Sequence, residues 1–126
     1  MGGNVGIQAA TVAVRNITLG RNESVSFLSM LFRETRVGLV LGLGFSFTLG
    51  GYALFRWWDE PRIGLAIAIA IQLTVMAAAG LGAMVPLSLN RLGIDPAVAT
   101  GPFVTTGIDM IAILIYFSTA ILVLGI

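Results

Sequence analysis

Apolar residues form four long runs separated by short polar stretches. The runs cover about residues 4–19, 37–55, 63–90 and 96–126. The last three each have close to or more than the ~20 residues that a helix needs to cross the hydrocarbon core of a bilayer, whereas the first is marginal. The pattern predicts an all-α membrane protein, a polytopic helical bundle of four transmembrane segments that forms one domain over residues 1–126.

The arginines between these runs divide unequally between the two sides of the predicted bundle. Arginine-rich loops stay in the cytoplasm, so the side with five arginines is predicted to be cytoplasmic and both termini extracytoplasmic. The five are Arg15, Arg21, Arg33, Arg36 and Arg91, and the other two are Arg56 and Arg62. We therefore expect a multi-pass protein of the plasma membrane, in bacteria the inner membrane. An extracytoplasmic N-terminus without a signal peptide requires either that the first segment inserts as a hairpin with the second or that a spanning helix lies upstream of residue 1, and we expect the upstream helix.

Composition narrows the chemistry that the chain can perform. It is 57% hydrophobic and 10% charged, with no cysteine and no histidine. Thiolate or imidazole metal sites and catalysis by Cys or His are therefore excluded, and any metal must be a hard cation held by oxygen. The net charge of +1 gives no indication of nucleic-acid binding. We do not expect an enzyme, because a single buried acid without a nucleophile or base partner makes a poor active site.

Asp109 is the only charged residue in the fourth segment. A carboxylate at the centre of a membrane helix costs about 2.5–3.5 kcal/mol on insertion scales, and such residues usually face a bundle interior or an aqueous path. Counted from Pro96, Asp109 lies about 20 Å along a helix, near the middle of the bilayer. It is the first candidate for an ion-binding residue.

Two polar stripes recur at helical spacing. In the fourth segment one face carries Gly101, Thr105, Asp109, Ala112 and Tyr116. In the first segment one face carries Asn4, Gln8, Thr11, Arg15 and Thr18. Gly101 and Pro102 are expected to loosen the backbone before Asp109 and to free carbonyls as ligands. Together the stripes predict a shared hydrophilic path.

Structural roles compete with these functional ones. Asp109 could pair with Arg15 to hold the bundle together, and the hydroxyl of Thr106 is expected to bond its own i−4 carbonyl. Asp95, just before Pro96, is first of all an N-cap. Four glycines are expected to serve helix packing, namely Gly38, Gly42, Gly80 and Gly82.

Two stretches carry a resemblance to a known family. PLSLNRLGIDPAVATGPFVTTGIDMIAILIY, residues 86–116, resembles the last two helices of the MgtE family of magnesium channels, and the opening GGNVGIQAATVAVRNITLG resembles that family's second transmembrane helix. Members are homodimers with five transmembrane helices per subunit, preceded by cytosolic magnesium-sensing domains. The resemblance implies that the four segments are helices two to five of a homodimer, without the first helix and the cytosolic sensor domains.

The resemblance also implies roles for single residues. Asp109 matches the pore aspartate that holds the permeating Mg²⁺, with Thr105 and Gly101 at pore-facing positions near it. Asp95 matches an acidic residue at the cytosolic end that binds magnesium. Residues predicted to line the pore, from the stripes or from the resemblance, are Gly3, Asn4, Thr11 and Tyr116. The chain departs from the family at Ile7 and Gly101, where members often carry a polar group.

The sequence thus predicts a divalent cation channel or transporter that conducts Mg²⁺ through a dimeric pore. Two Asp109 carboxylates on a twofold axis would offer about two negative charges to one hydrated dication. Two alternatives stay open. One is a transporter coupled to H⁺ or Na⁺ through Asp109, and the other is a non-transporting membrane subunit in which Asp109 pairs with a partner helix.

Overall fold

The structure, a computed structural model, describes residues 1–21, 26–99 and 101–126, and it is helical. No strand occurs among these residues, so the prediction of an all-α bundle is confirmed. A short 3-10 helix covers Pro96–Ala99. The α-helices are α1 (Gly2–Thr18), α2 (Phe27–Arg56), α3 (Pro61–Arg91) and α4 (Pro102–Leu124).

Three of the described helices, α2, α3 and α4, are long and apolar enough to cross a membrane. They have 30, 31 and 23 residues. Helix α1 has 17 residues and is shorter than these spans. Large apolar side chains stand on the outer surface of the bundle, among them Phe47 at 87% and Leu122 at 82% exposure. An apolar outer surface of this kind is what lipid chains solvate, so the fold is that of a membrane protein.

Helix α3 is the centre of the bundle. It packs against each of the other three α-helices, and α1 also packs against α4. Small residues let these helices approach closely. A Cβ built on Gly38 would lie 2.7 Å from Cβ of Ala79, and one built on Gly82 would overlap the backbone of Gly6. The packing role expected of these glycines agrees with this geometry.

Two polar side chains join α2 to α3 inside the apolar bundle. The hydroxyl of Ser46 donates to the carbonyl oxygen of Ala68 at 2.9 Å. The amide nitrogen Nε2 of Gln72 donates to the carbonyl oxygen of Leu39 at 3.3 Å, while its Oε1 is buried and has no hydrogen-bond partner. Ser46 is therefore satisfied in the core, whereas Gln72 is only half satisfied.

Two helix starts differ from the bounds of the apolar runs. Helix α2 begins at Phe27, ten residues before the second run. Arg33, Glu34 and Arg36 interrupt the apolar pattern, but the helix continues through them because they are good helix formers. Helix α4 begins at Pro102 and not at Pro96. Gly101 has φ 102° and ψ −144°, a conformation that no helical residue can adopt, so the chain breaks there before α4 starts.

Candidate ion site

Asp109 is the eighth residue of α4, at the start of its third turn. Because α4 starts at Pro102, Asp109 is about 10 Å from the beginning of its helix, half the distance expected from a start at Pro96. Its side chain is exposed on the surface of the single chain. Val104 and Ile108, on another face of the same helix, are buried against Ala78 of α3. Helix α4 thus buries Val104 and Ile108 against the bundle and leaves its carboxylate exposed.

The first turn of α1 lies directly against this carboxylate. A Cβ built on Gly3 would be 3.1 Å from Oδ1 of Asp109 and 2.7 Å from Cγ2 of Thr105. Gly3 itself is buried, whereas Thr105 is half-buried. The structure therefore brings together three predicted site residues from two helices, and glycine is the only residue that fits the contact without a shift.

The hydroxyl of Thr105 is held by its own helix. Its Oγ1 donates to the carbonyl oxygen of Gly101 at 2.7 Å, and the Thr105 amide donates to the same oxygen at 3.2 Å. The Gly101 carbonyl is thus occupied by two donors, whereas free carbonyls were expected at this turn. The lone pairs of the Thr105 hydroxyl stay available to accept a hydrogen bond from water. No such i−4 bond was found for Thr106 within the described part of the chain, although the sequence predicted one there.

An open cavity of about 280 Å³ lies beside Asp109. Asp109, Ala112 and Tyr116 line it, so three members of the predicted polar face share one space. Helix α3 contributes Thr74, whose Cγ2 would be 3.0 Å from a Cβ on Gly2. Sequence reasoning missed Thr74, because a single threonine in a long apolar run forms no stripe.

The polar stripe of α1 faces away from the bundle. All five of its members are exposed: Asn4, Gln8, Thr11, Arg15 and Thr18. The buried face of α1 consists of glycine and alanine alone. Because Asn4 follows Gly3, this end of the stripe lies in the turn of α1 that is next to Asp109.

Asp95 and Arg15 are not part of the cavity beside Asp109. Oδ1 of the exposed Asp95 accepts a hydrogen bond from the amide of Ala97 at 3.0 Å, the N-cap geometry that the sequence predicted. Arg15 forms no ion pair with Asp109, and the described residues contain no group of three or more acidic, His or Cys side chains that could hold a metal.

Comparison with known proteins decides the family. The profile of MgtE, described as a divalent cation transporter, matches residues 1–119. The chain belongs to the MgtE family. It is 38% identical over 124 residues to the magnesium transporter MgtE of Thermus thermophilus, and 34% identical over 118 residues to that of Enterococcus faecalis. The Bacillus subtilis MgtE is 30% identical over 120 residues.

These matches cover 98%, 94% and 95% of the chain but only 27%, 26% and 26% of the relatives. The chain thus spans about a quarter of the length of the curated MgtE transporters it matches. The resemblance seen in residues 86–116 and in the glycine-rich opening is confirmed. Membership of a cation-transporter family also agrees with the prediction that the chain is not an enzyme.

Proposed function

We propose that this chain is the pore-forming membrane part of a Mg²⁺ channel or transporter, and that two copies form the pore with Asp109 as the ion site. One observation carries the proposal: the Asp109 carboxylate is exposed beside Gly3 on a helix built to lie in lipid. Membership of the MgtE family, and three relatives named as magnesium transporters, support Mg²⁺ as the transported ion.

The exposed polar surface that contains Asp109 is more stable against a partner surface than against lipid. A carboxylate that faces hydrocarbon costs several kcal/mol, and the exposed amides of Asn4 and Gln8 add to this cost, whereas the hydroxyls of Thr11 and Thr18 are bonded to their own helix. A second copy related by a twofold axis would place two such surfaces face to face and enclose water between them. Two Asp109 side chains would then bind one dication, which is the number of carboxylates that Mg²⁺ commonly takes.

The small residues around Asp109 suit an ion that keeps its water. Mg²⁺ is dehydrated reluctantly and usually retains several water ligands, so its site needs room and hydrogen-bond acceptors. Gly3 and Gly101 provide room, and Thr105 provides an acceptor. Asn4, Thr11 and Tyr116 are the further side chains that we assign to the pore wall. We assign Asp95, in the exposed turn before the 3-10 helix, to a second acidic site at the cytoplasmic end, with the C-terminus outside.

Uptake of Mg²⁺ by a magnesium-starved bacterium without its own transporters tests the proposal. We expect the parent chain to restore uptake and Asp109→Asn to abolish it at equal membrane abundance. Asp59→Asn removes an acid from the exposed turn between α2 and α3 and should leave uptake unchanged. Equal uptake by the parent and the Asp109 variant would refute the ion site. Uptake that stops when the H⁺ or Na⁺ gradient is collapsed would favour the coupled alternative.

Disulfide formation tests the twofold arrangement, because the chain contains no cysteine of its own. A disulfide needs Cα atoms within about 7 Å, so only residues near the axis can cross-link to their own copies. We expect Thr105→Cys or Tyr116→Cys to yield covalent dimers in membranes after mild oxidation. Leu122→Cys, exposed on a different face of α4, is the matched control and should stay monomeric. Dimers from Leu122→Cys alone would place another face of α4 at the interface.

A further inference from the structure

A basic cavity lies between α1 and α2, away from the Asp109 site. Its volume is about 530 Å³, and three arginines line it. Arg15 comes from the last turn of α1, Arg21 from the turn that follows α1, and Arg33 from the second turn of α2. Asn16 and Ser29 add polar groups to the same wall. Three guanidinium groups around one cavity form a site for an anion with several oxygens.

A second groove continues from this cavity along α2. It has a volume of about 760 Å³ and shares Ser29 and Arg33 with the basic cavity. Arg36 stands beside Arg33, and the wall beyond them is apolar. Phe32 and Val40 are 65% and 67% exposed. The groove thus changes along α2 from a charged end to an apolar end, over a distance of a few helical turns.

Within the described part of the chain, the arginines of these grooves are not held in salt bridges, although the carboxylate of Glu34 interacts electrostatically with Arg33. None of the four arginines forms an ion pair with a residue that the structure describes. Glu34, next to Arg33 in sequence, is only 7% exposed and points into the bundle. The arginine distribution predicts that Arg91 is on the same side of the membrane. Its Cζ lies 4.5 Å from the centroid of the Phe27 ring, and Arg91 lines neither groove.

We propose that the two grooves together bind one anionic phospholipid of the cytoplasmic leaflet. The phosphate of the headgroup lies in the basic cavity among Arg15, Arg21 and Arg33, with Arg36 beside it at the start of the second groove, and an acyl chain follows the apolar wall past Val37 and Val40. A free phosphate ion would use the charged end alone, whereas a lipid uses both ends. Basic pockets between membrane helices on the cytoplasmic side bind acidic headgroups, and the juxtaposition of arginines with an apolar groove is the shape of such a lipid.

Lipid retention by the full chain tests this site. The purified protein is exchanged into detergent with equal amounts of phosphatidylglycerol and phosphatidylcholine of identical acyl chains, and bound lipid is counted by native mass spectrometry. We expect preferential retention of phosphatidylglycerol. Each arginine near an acidic headgroup contributes about 1 kcal/mol, so the double variant Arg33→Gln, Arg36→Gln should weaken retention about 25-fold. The charge-preserving pair Arg33→Lys, Arg36→Lys should lose much less.

Two controls separate the site from general surface charge. Arg91→Gln removes one charge from the same side of the molecule, and Arg62→Gln removes one from the other end of the bundle. Both should retain phosphatidylglycerol within about twofold of the parent. If either lowers retention as much as Arg33→Gln does alone, the binding is nonspecific and the proposal is wrong.

Two further measurements identify the occupant. Val40→Asn should weaken lipid retention, because it places a polar group in the acyl groove, and millimolar inorganic phosphate should not displace the lipid. Displacement by phosphate together with no effect of Val40→Asn would mean a site for free anions, which would overturn the proposal. A photoreactive side chain at position 40 should cross-link to lipid in membranes. Cross-linking to a second copy of the chain instead would assign the groove to a protein interface.

Discussion

Gly3 of α1 and Asp109 of α4 lie in direct contact, with no side chain between them. A Cβ at position 3 would be 3.1 Å from Oδ1 of the carboxylate. A distance this short is tighter than ordinary van der Waals contact, so any larger residue must displace either the carboxylate or Thr105. The position of the Asp109 side chain is thus controlled by a residue on another helix that has no side chain of its own.

Gly3→Ala should reduce Mg²⁺ uptake strongly, by about tenfold or more, because a displacement of about 1 Å at a reacting or binding group is that costly in well-oriented sites. The matched control is Gly107→Ala, two residues before Asp109, where an added Cβ meets nothing within 4 Å. The control should transport like the parent. Uptake assays at equal membrane abundance make the comparison, and equal loss in both variants would contradict the steric explanation.

Gly82→Ala should destabilise the bundle, because the added methyl group meets the backbone of Gly6, which cannot rotate away. Overpacking of this kind typically costs about 1–3 kcal/mol. Gly44→Ala is the control: it lies within α2, and a Cβ there has open space. That variant should be neutral or up to about 1 kcal/mol more stable, since alanine is the better helix former. Unfolding of the purified protein in detergent compares the two, and equal stability would disprove close α1–α3 contact.

Gly101→Ala should lower the stability of the fold, because it strains the backbone at the chain break before α4. Gly101 has φ 102°, a region that residues with a Cβ rarely adopt, and an added Cβ would meet no neighbour within 4 Å. The expected loss of about 1–3 kcal/mol in stability therefore comes from backbone strain alone. Gly107→Ala, within α4, again serves as the control. An alanine variant at position 101 with unchanged stability would show that the backbone can adopt another conformation there.

Ser46 and Gln72 should respond to substitution with opposite signs. Ser46→Ala removes the hydrogen bond to the Ala68 carbonyl and should lower the stability by about 0.5–1.5 kcal/mol. Gln72→Met keeps the shape of the side chain and removes both the long hydrogen bond from Nε2 to the Leu39 carbonyl and the buried Oε1 that lacks a partner, so the two effects offset and the variant should be neutral or stabilising. Denaturant unfolding in detergent measures both. A larger loss for Gln72→Met than for Ser46→Ala would show that the amide has a partner in the membrane.

Helical periodicity predicted the faces of the helices well. Asp109, Ala112 and Tyr116 of the predicted polar face line one cavity, whereas Gly101 of the same face lies before α4, and the stripe from Asn4 to Thr18 is exposed as a whole. Both results follow from 3.6 residues per turn, which needs no knowledge of the tertiary structure.

Helix starts and contacts between helices were harder to predict. The break at Gly101 lies within the apolar run that begins at Pro96. Hydrophobicity carries no information on the sign of φ, so the sequence pattern could not predict this break. The contact of Gly3 with Asp109 joins residues more than one hundred positions apart, and no local pattern encodes it. Thr74 was missed for the same reason, since its role comes only from the cavity that it shares with α1 and α4.

The unequal lengths of the helices have a consequence for the surrounding bilayer. At 1.5 Å per residue, α1 is about 25 Å long, whereas α2 and α3 reach about 45 Å, and the hydrocarbon core of a typical bilayer is about 30 Å thick. The apolar run of α2, residues 37–55, is about 28 Å long and matches that core, whereas the apolar run of α3, residues 63–90, is about 42 Å long, so α3 must tilt or the bilayer around it must thicken. Because of this hydrophobic mismatch, the stability of the protein should depend on the acyl-chain length of the lipids and pass through an optimum as the tails are lengthened.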